Sequence, residues 1–504
     1  MSKPSHSRDP LLSRRGLLFG ASAGLSMLGL SAASPLTRRA RARPLHPRAA
    51  ADVADRRLLF VVCATGGASI IDSFMPVSTA ELPSGIEPGS TAAYEPEQLV
   101  QPPGSAIRCV GPLQDTLFLG SDYSIEQFVA KYHEELTVVA HEVTSVNHIV
   151  AQKRSVNGAG IHGGRTIAEA VAARHGEGLP LANCTMAFDG FVEPGDDASL
   201  PSFARAELIG NPLTFAMSTH GSRGLAGAPP SAAVSRARRI RAELDRRSPF
   251  GQTFRDAQQL QRYFGTRDDV AMRLEAEDAI ETLMLLPGTS TIEELGLNPS
   301  ALSEELRAVF PKLDKDQWQQ RGAMAFLLAR HGLSCASTIS LSLNPSFEGE
   351  SIVDAPLAFD FSHTYHRATQ NVMWGRVLAL VDGLITLLRS HDYLGDPALG
   401  KMWDRSLIYI ATDFGRDKIR STGGEQFGTG HHVNNGSVLL SPRLVGNRVF
   451  GGVDPATLLT YGFDRTTGEP RPGTQMREED IYSLIAQALD VDFAGRRDMS
   501  AVLA

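Results

Sequence analysis

The sequence predicts an α/β protein with a mostly parallel central sheet, helices on both faces of that sheet and a helical insertion. Short apolar runs bounded by turn residues alternate with segments of helical periodicity, as in parallel sheets covered on both sides. Residues 230–312 break the alternation, because they are rich in Arg, Glu, Ala and Leu and contain no convincing strand. We therefore predict one large α/β domain over residues 51–504 with a helical insertion at about 230–312, although its length would also suit two domains.

Seven apolar runs have the length and the flanking turn residues of strands. They are Leu58–Ala64, Leu136–Ala140, Thr185–Phe188, Leu213–Ser218, Ser334–Leu343, Ser406–Thr412 and Ser437–Leu440. The amphipathic helices predicted between several of these strands include Ser124–Glu135, Arg165–His175, Gln317–Arg330, Thr369–Arg389 and Glu478–Leu489. The segment Ala80–Ser105 is rich in Pro, Gly, Ser and Glu, which predicts a long surface loop.

The N-terminus resembles a twin-arginine export signal. Arg14 and Arg15 precede an apolar stretch that ends near Leu30, which is short for a membrane span. Small residues follow it, and both 31–33 and 40–42 suit a cleavage site. We expect residues 1–50 to be a signal peptide and linker, read by the twin-arginine translocase, and the mature protein to be periplasmic or extracellular. The alternative is a basic tail before a hydrophobic helix.

The charge balance excludes some classes of partner. The whole chain has a net charge of −7, and residues 1–50 carry nine Lys/Arg and one Asp, so the mature protein has a net charge of −15. Such an acidic protein lacks the net positive charge that favours nucleic-acid binding, and anionic lipid would repel it. We identified no further segment of membrane-span length and expect no integral membrane segment in the mature chain.

Four cysteines follow the N-terminal segment, at positions 63, 109, 184 and 335. An oxidising compartment permits disulfides, and four bridged cysteines allow three pairings. Cys63 and Cys335 lie in apolar runs typical of strands, so buried free thiols are the alternative.

Side chains that could take part in catalysis or metal binding follow several predicted strands. Asp413 ends the strand Ser406–Thr412, and a Gly-rich loop then leads to His431 and His432. Because open α/β sheets bind ligands at the carboxyl ends of their strands, these groups are candidates for one site. Other segments of this kind contain Gly66, Gly67 and Asp72; Thr144, Asn147 and His148; His162; and Asp360, His363 and His366. Converging carboxylates and imidazoles would suit Zn²⁺ or another divalent ion, whereas each residue alone could be a cap, a turn residue or a surface histidine.

The order of these segments resembles the alkaline-phosphatase-like (sulfatase-like) superfamily. More closely, it resembles the exported bacterial family catalogued as domain of unknown function 1501. The resemblance spans nearly the whole mature chain, and its most specific part is the Phe-Gly-Arg of the segment Thr412–Arg416. The other matching pieces are Gly66-Gly67, Asn147-His148, Asp360 with His363, and the Gly-rich loop 428–432.

The resemblance implies a role for each matching residue. Thr144 would attack phosphorus and Asn147 would steady the transition state. Asp360, His363 and His431 would hold one metal ion, and Asp72, Thr144 and Asp413 would contact a second; Zn, Mn and Ca are the candidate ions. Further pocket candidates are His148, His162, His366, Arg416 and His432.

The implied activity is metal-dependent hydrolysis of a small phosphate or sulfate ester. The alternative is a catalytically degenerate member that binds an envelope glycan, a lipid headgroup or a partner protein. Ser69 stands where the family turn has Asp, Gly430 replaces the Asp before His431, and Phe414 replaces a metal-binding His of the phosphatases. The spacing from Asp360 to His363 is also one residue longer than the family's. At least two ligands of the two-metal pattern are therefore missing or displaced.

Overall fold

The computed structural model describes residues 53–112, 123–186, 189–219, 229–257, 260–261, 264, 282–285, 302–341, 346–347, 350–351, 358–421, 424 and 426–504. The described part of Arg48–Ala504 belongs to one compact unit. The proposed signal peptide and linker, residues 1–50, lie outside the described residues.

An eight-stranded sheet forms the centre of the protein. In chain order its strands are β1 (Leu58–Ala64), β4 (Leu136–Glu142), β5 (Asn183–Met186), β6 (Glu207–Leu208), β7 (Ala336–Ser340), β10 (Ser406–Thr412), β13 (Asn434–Leu440) and β14 (Arg448–Phe450). The smaller ribbons contain β2 (Leu99–Val100), β3 (Cys109–Val110), β8 (Ser346–Phe347), β9 (Glu350–Ser351), β11 (Gly415–Arg416), β12 (His431–His432), β15 (Gly452–Val453), β16 (Thr460–Phe463) and β17 (Pro470–Arg471).

The sheet is mostly parallel, as predicted. Its strand order is β14-β4-β13-β10-β1-β7-β5-β6. Only β13 runs against its neighbours β10 and β4, and the other neighbouring strands pair in parallel. The carboxyl ends of seven strands and the amino end of β13 therefore meet at one edge of the sheet.

Eleven α-helices occur in the described residues. They are α1 (Ile70–Phe74), α2 (Ile125–Tyr132), α3 (His148–Asn157), α4 (Ile167–His175), α5 (Pro212–Thr219), α6 (Ser231–Arg247), α7 (Pro249–Thr253), α8 (Ser303–Val309), α9 (Gln317–Arg330), α10 (His366–Ser390) and α11 (Glu478–Ala488). All seven residues of β1 and of β10 are buried, so both faces of the central strands are covered. The contacts of α3 with β10, of α4 with β1 and β7, and of α9 with β7 form part of that cover.

The long helix α10 is a core helix by burial. It is 25 residues long and apolar enough to cross a membrane by length and composition, unlike our expectation that no further segment reaches that length. However, 72% of its most apolar window is buried inside the protein. Trp374 of α10 packs edge-on against Phe74, with ring centroids 5.2 Å apart. This burial is typical of a helix that covers a sheet.

One predicted strand is wrong. The run Leu213–Ser218 lies in the helix α5, which begins at Pro212. Proline suits the first turn of a helix, and the side chain of Asn211 accepts a hydrogen bond from the amide of Leu213 at 3.0 Å. Periodicity alone cannot assign a short apolar run to a strand or a helix. Here Asn211 and Pro212 favour the helix.

Much of the proposed insertion lies outside the described residues, whereas all four cysteines lie within them. Within the described residues of 230–312, the regular elements are the helices α6, α7 and α8. All four cysteines are buried and free, so none of the three disulfide pairings is present. Burial raises the pKa of each of the four thiols, which makes them poor nucleophiles.

Candidate metal centre

The candidate carboxylate and imidazole side chains meet at the carboxyl edge of the sheet because of the directions of the strands. Asp413 follows β10, and the loop that leads to His148 follows β4. The antiparallel β13 starts at this edge, so the histidine pair just before it is delivered there. The short ribbon of β11 and β12 fixes that pair, with Arg416 opposite His431.

Asp413 is buried and holds the turn after β1. Its Oδ1 accepts a hydrogen bond from the amide of Gly67 at 2.6 Å, and its Oδ2 accepts one from Gly66 at 3.2 Å. Both glycines have positive φ angles, 101° and 81°, which other residues adopt at a cost. The Oδ2 atom also accepts from Nδ1 of His148 at 2.6 Å. Asp413 thus orients the imidazole of His148 and fixes the β1 turn.

Three imidazoles surround one carboxylate oxygen in front of Asp413. The Oδ1 of Asp360 lies 3.5 Å from Nε2 of His148, 3.2 Å from Nε2 of His363 and 3.3 Å from Nε2 of His431. The Nε2 atoms of His363 and His431 are 2.8 Å apart. The ligand atoms of His148, Asp360 and His431 all lie within 4.8 Å of one another.

These distances fit the donor set of a tetrahedral metal site. Bonds of 2.0–2.1 Å to zinc place neighbouring ligand atoms about 3.3 Å apart, close to the three distances from Asp360. The remaining ring nitrogens are also anchored, because Nδ1 of His431 donates to the carbonyl of Val146 at 3.1 Å and that of His148 to Asp413. Such anchoring of the far nitrogen is what metal-binding histidines require. His148, Asp360 and His431 could therefore hold a divalent ion, with His363 at its side.

The charges of the cluster are coupled. Burial alone would raise the pKa of Asp360, but hydrogen bonds from His148, His431 and Arg416 hold that pKa well below its usual range. Conversely, burial would lower the pKa of His148, but its hydrogen bonds to Asp360 and Asp413 raise it to about 9. In the metal-free protein, protonated His148 and Arg416 thus neutralise the carboxylates of Asp360 and Asp413.

Arg416 is buried inside the site and binds several backbone carbonyls. Its guanidinium donates to Oδ1 of Asp360 at 2.8 Å and to the carbonyls of Gly66, Gly67 and Phe359. We expected Arg416 only as a pocket residue. Its position between the β1 turn and Asp360 makes it a structural support for the cluster.

Asp72 does not join this cluster as a ligand. Its carboxylate accepts from Ser69 at 2.5 Å, lies 3.0 Å from Nε2 of His366, and forms an ion pair with Lys418. The interaction with Lys418 keeps the pKa of Asp72 low despite complete burial. Thr429 holds the other nitrogen of His366 at 2.9 Å. The carboxylate that was expected to bind a second metal ion is therefore already paired with a lysine.

The expected nucleophile and its partner have other hydrogen bonds. The hydroxyl of Thr144 lies 2.9 Å from Oε1 of Glu478 and 3.0 Å from Arg154. The side chain of Asn147 caps helix α3 by accepting from the amide of Val150 at 3.3 Å. Both residues therefore order the loop that presents His148 and the Val146 carbonyl.

The remaining pocket candidates lie in different surroundings. His162 stacks on Phe493 with ring centroids 4.3 Å apart, and its Nδ1 is 3.1 Å from the hydroxyl of Tyr482. His432 accepts from the backbone amide of Asn434 at 3.1 Å. These contacts account for both imidazoles without a ligand.

Sequence reasoning missed three charged residues near the site, namely Asp189, Lys418 and Glu478. Asp189 accepts from Thr65 at 3.1 Å and from the hydroxyl of Ser340, and burial raises its pKa. It comes three residues after β5, so the strand-end rule that selected Asp413 could have found it. Lys418 and Glu478 follow no strand of the central sheet and carry no such signal.

No protein-family model and no curated protein matches this chain. Function is therefore inferred from the geometry of the site.

Proposed function

We propose that this protein is a hydrolase of phosphate or sulfate esters that uses one divalent ion, held by His148, Asp360 and His431. One observation carries this proposal: three imidazole Nε2 atoms converge on a single oxygen of Asp360 at 3.2–3.5 Å. Three protein ligands leave a fourth position for water or substrate, as in catalytic zinc sites. We also infer that the fold belongs to the alkaline-phosphatase-like class, supported by the parallel sheet and the order of the motifs.

A bound divalent ion would supply an acidified water and would polarise an ester oxygen. The protein's own residues prepare that site. Asp413 fixes the orientation of His148, the carbonyl of Val146 fixes that of His431, and Arg416 offsets the charge of Asp360. His363 is exposed in front of the cluster, where it can bind the substrate at the open position.

A single ion is favoured over the two-metal arrangement. Asp72, which the second ion would need, is bound by Lys418 and His366, and Ser69 donates to it. A buried ammonium group already supplies the positive charge at that position. Attack by metal-bound water is also favoured over attack by Thr144, since Glu478 and Arg154 bind its hydroxyl.

The second candidate is a binding protein of the same fold that has lost catalysis. Arg416 and Lys418 favour it, because each places a cation on a carboxylate that would otherwise bind metal. Envelope glycans, lipid headgroups and partner proteins are the ligand classes for this alternative.

Metal analysis separates the two candidates. Protein produced through its native signal should contain about one Zn²⁺, Mn²⁺ or Ca²⁺ per chain by elemental analysis. The variant His431→Ala should lose at least about 100-fold in metal affinity, more than removal of an orienting partner costs. His432→Ala, a change at the neighbouring position, should bind metal like the parent. Folded parent protein without metal, inert toward nitrophenyl phosphate and nitrophenyl sulfate, would support the binding protein instead.

We further propose that the protein works outside the cytoplasm after twin-arginine export. The Arg14-Arg15 pair and the apolar stretch to Leu30 support this location. Replacing both arginines by lysine should leave precursor in the cytoplasm, measured by cell fractionation and blotting. An unchanged periplasmic yield would refute the assignment of the signal.

A further inference from the structure

The first turn of helix α3 and Val146, which precedes that helix, expose apolar side chains beside His148. Val146 is 44% exposed, Ile149 50% and Val150 41%. Within the described residues, ten large hydrophobic side chains are exposed, and these three occupy five consecutive positions. Single exposed apolar residues are ordinary, whereas a cluster beside a polar centre indicates a binding surface.

The apolar side chains continue into a cavity along the same helix. Its volume is about 390 Å³, which is within the range of small-molecule sites. Ile149 and Val150 line its near end, and Lys153 and Arg154 lie one turn further along α3. The helical rise places that basic pair about 7.5–9 Å from His148 along the axis.

The opposite wall comes from the loop after β5. The amide of Gly190 donates to the side chain of Gln152 in α3 at 2.8 Å, which joins that loop to the helix. A side chain at position 190 would meet the backbone of Ile149, since a Cβ there would lie 2.6 Å from its carbonyl oxygen. The two walls of the cavity are thus held close together.

The basic pair at the far end can bind an anion. Glu193 and Asp196 also line the cavity, 3.4 Å and 3.6 Å from Lys153. Their side chains are 44% and 73% exposed, so both ion pairs are weak. Arg154 donates to the carbonyl and hydroxyl of Thr144, and no carboxylate pairs with it in the part of the chain that the structure describes. A guanidinium with only neutral partners keeps most of its attraction for an anion.

We propose that this cavity binds the non-reacting part of the substrate, and that the substrate is an amphiphilic ester with a second anionic group. Its reacting phosphate or sulfate group would lie at the metal centre. Its alkyl or aryl part would contact Ile149 and Val150, and its distal carboxylate or phosphate would bind Lys153 and Arg154. This inference rests on the proposed metal centre and names the substrate class for it.

Alkylphosphonates test the proposal by calorimetry on the zinc-loaded mature chain. Methyl-, butyl- and heptylphosphonate should bind with affinities that rise about two- to fourfold for each added methylene. The double variant Ile149→Ser/Val150→Ser should remove most of this gain while still binding methylphosphonate. Leu208→Ser, at an exposed leucine on the edge strand β6, is the matched control and should keep the gain.

A carboxylate at the far end of the probe tests the basic pair. 6-Phosphonohexanoate should bind at least about threefold more tightly than hexylphosphonate, and Lys153→Met should remove that difference. Equal affinity across the alkyl series, or an unchanged series in the double variant, would overturn the proposal.

Two further outcomes separate this proposal from others. If methylphosphonate binds only with metal but longer chains gain nothing, the cavity proposal fails and the metal centre stands. If no phosphonate binds, both fail. Sedimentation with anionic vesicles that depends on Ile149 and Val150, without an alkyl-chain effect, would identify a membrane-docking surface instead.

Discussion

Replacing Asp413 by Asn should weaken metal binding through His148. The substitution keeps the shape of the side chain but removes the charge that holds Nδ1 of His148 at 2.6 Å. Loss of such an orienting carboxylate costs about 10–100-fold in metal affinity, equivalent to about 1.4–2.7 kcal/mol. Asp413 also accepts from two backbone amides, so an amide group facing those donors should lower the free energy of unfolding by about 1–3 kcal/mol.

Asp72→Asn is the matched control, because it neutralises an equally buried carboxylate that contacts His366 and Lys418. It should lower stability, yet leave zinc affinity within about twofold of the parent. Zinc titration of both variants by calorimetry, with urea unfolding alongside, measures the two effects. Parent-like zinc affinity in Asp413→Asn, or an equal loss in Asp72→Asn, would refute the role given to the Asp413–His148 pair.

Two further predictions concern the metal-free protein and the β1 turn. Because the pKa of His148 is raised from 6.5 to about 9, its stabilising charge is fully present below pH 6.5 and is lost as the pH rises through 9. Urea unfolding should show a loss of about 2–3 kcal/mol over that range, less than the full shift would give because solvent screens the partly exposed ring. The variant His148→Gln should abolish this difference. Gly67→Ala should lower stability by at least about 1 kcal/mol and weaken zinc binding, since φ is +81° and the new Cβ would lie 2.7 Å from Nε of Arg416. Gly85→Ala, at φ +106° with open space around it, controls for backbone strain alone; an equal loss of zinc binding there would contradict the steric explanation.

The central strands could be predicted because a strand that is buried on both faces has a nearly continuous apolar sequence. Ser406–Thr412 and Leu58–Ala64 have the predicted bounds, and they pair in register along their whole length. The run Leu213–Ser218 is also mostly apolar, and a proline and an asparagine just before it favour its helical state. Local capping residues therefore decide where apolar runs are ambiguous.

The shared location of the candidate site residues was easier to predict than their contacts. Strand-end reasoning selected Asp413, Asp360, His363 and His431, and the structure places all four at one sheet edge. It could not rank His148 as a ligand, because that role depends on which nitrogen Asp413 binds. The pairing of Asp72 with Lys418 could not be predicted from the sequence either, since 346 positions separate the two residues along the chain.

Removal of metal should leave the protein folded. Carboxylates brought together without a cation repel each other, and folding would depend on metal if nothing else compensated them. Arg416, Lys418 and protonated His148 instead supply positive charge to Asp360, Asp72 and Asp413 in the metal-free protein. The ion then adds stability only by mass action, about 2.7 kcal/mol at a free concentration 100 times the dissociation constant. A cooperative thermal transition that survives chelation, shifted by a few degrees, is the expected result; unfolding on chelation would show that the side-chain cations do not compensate the carboxylates.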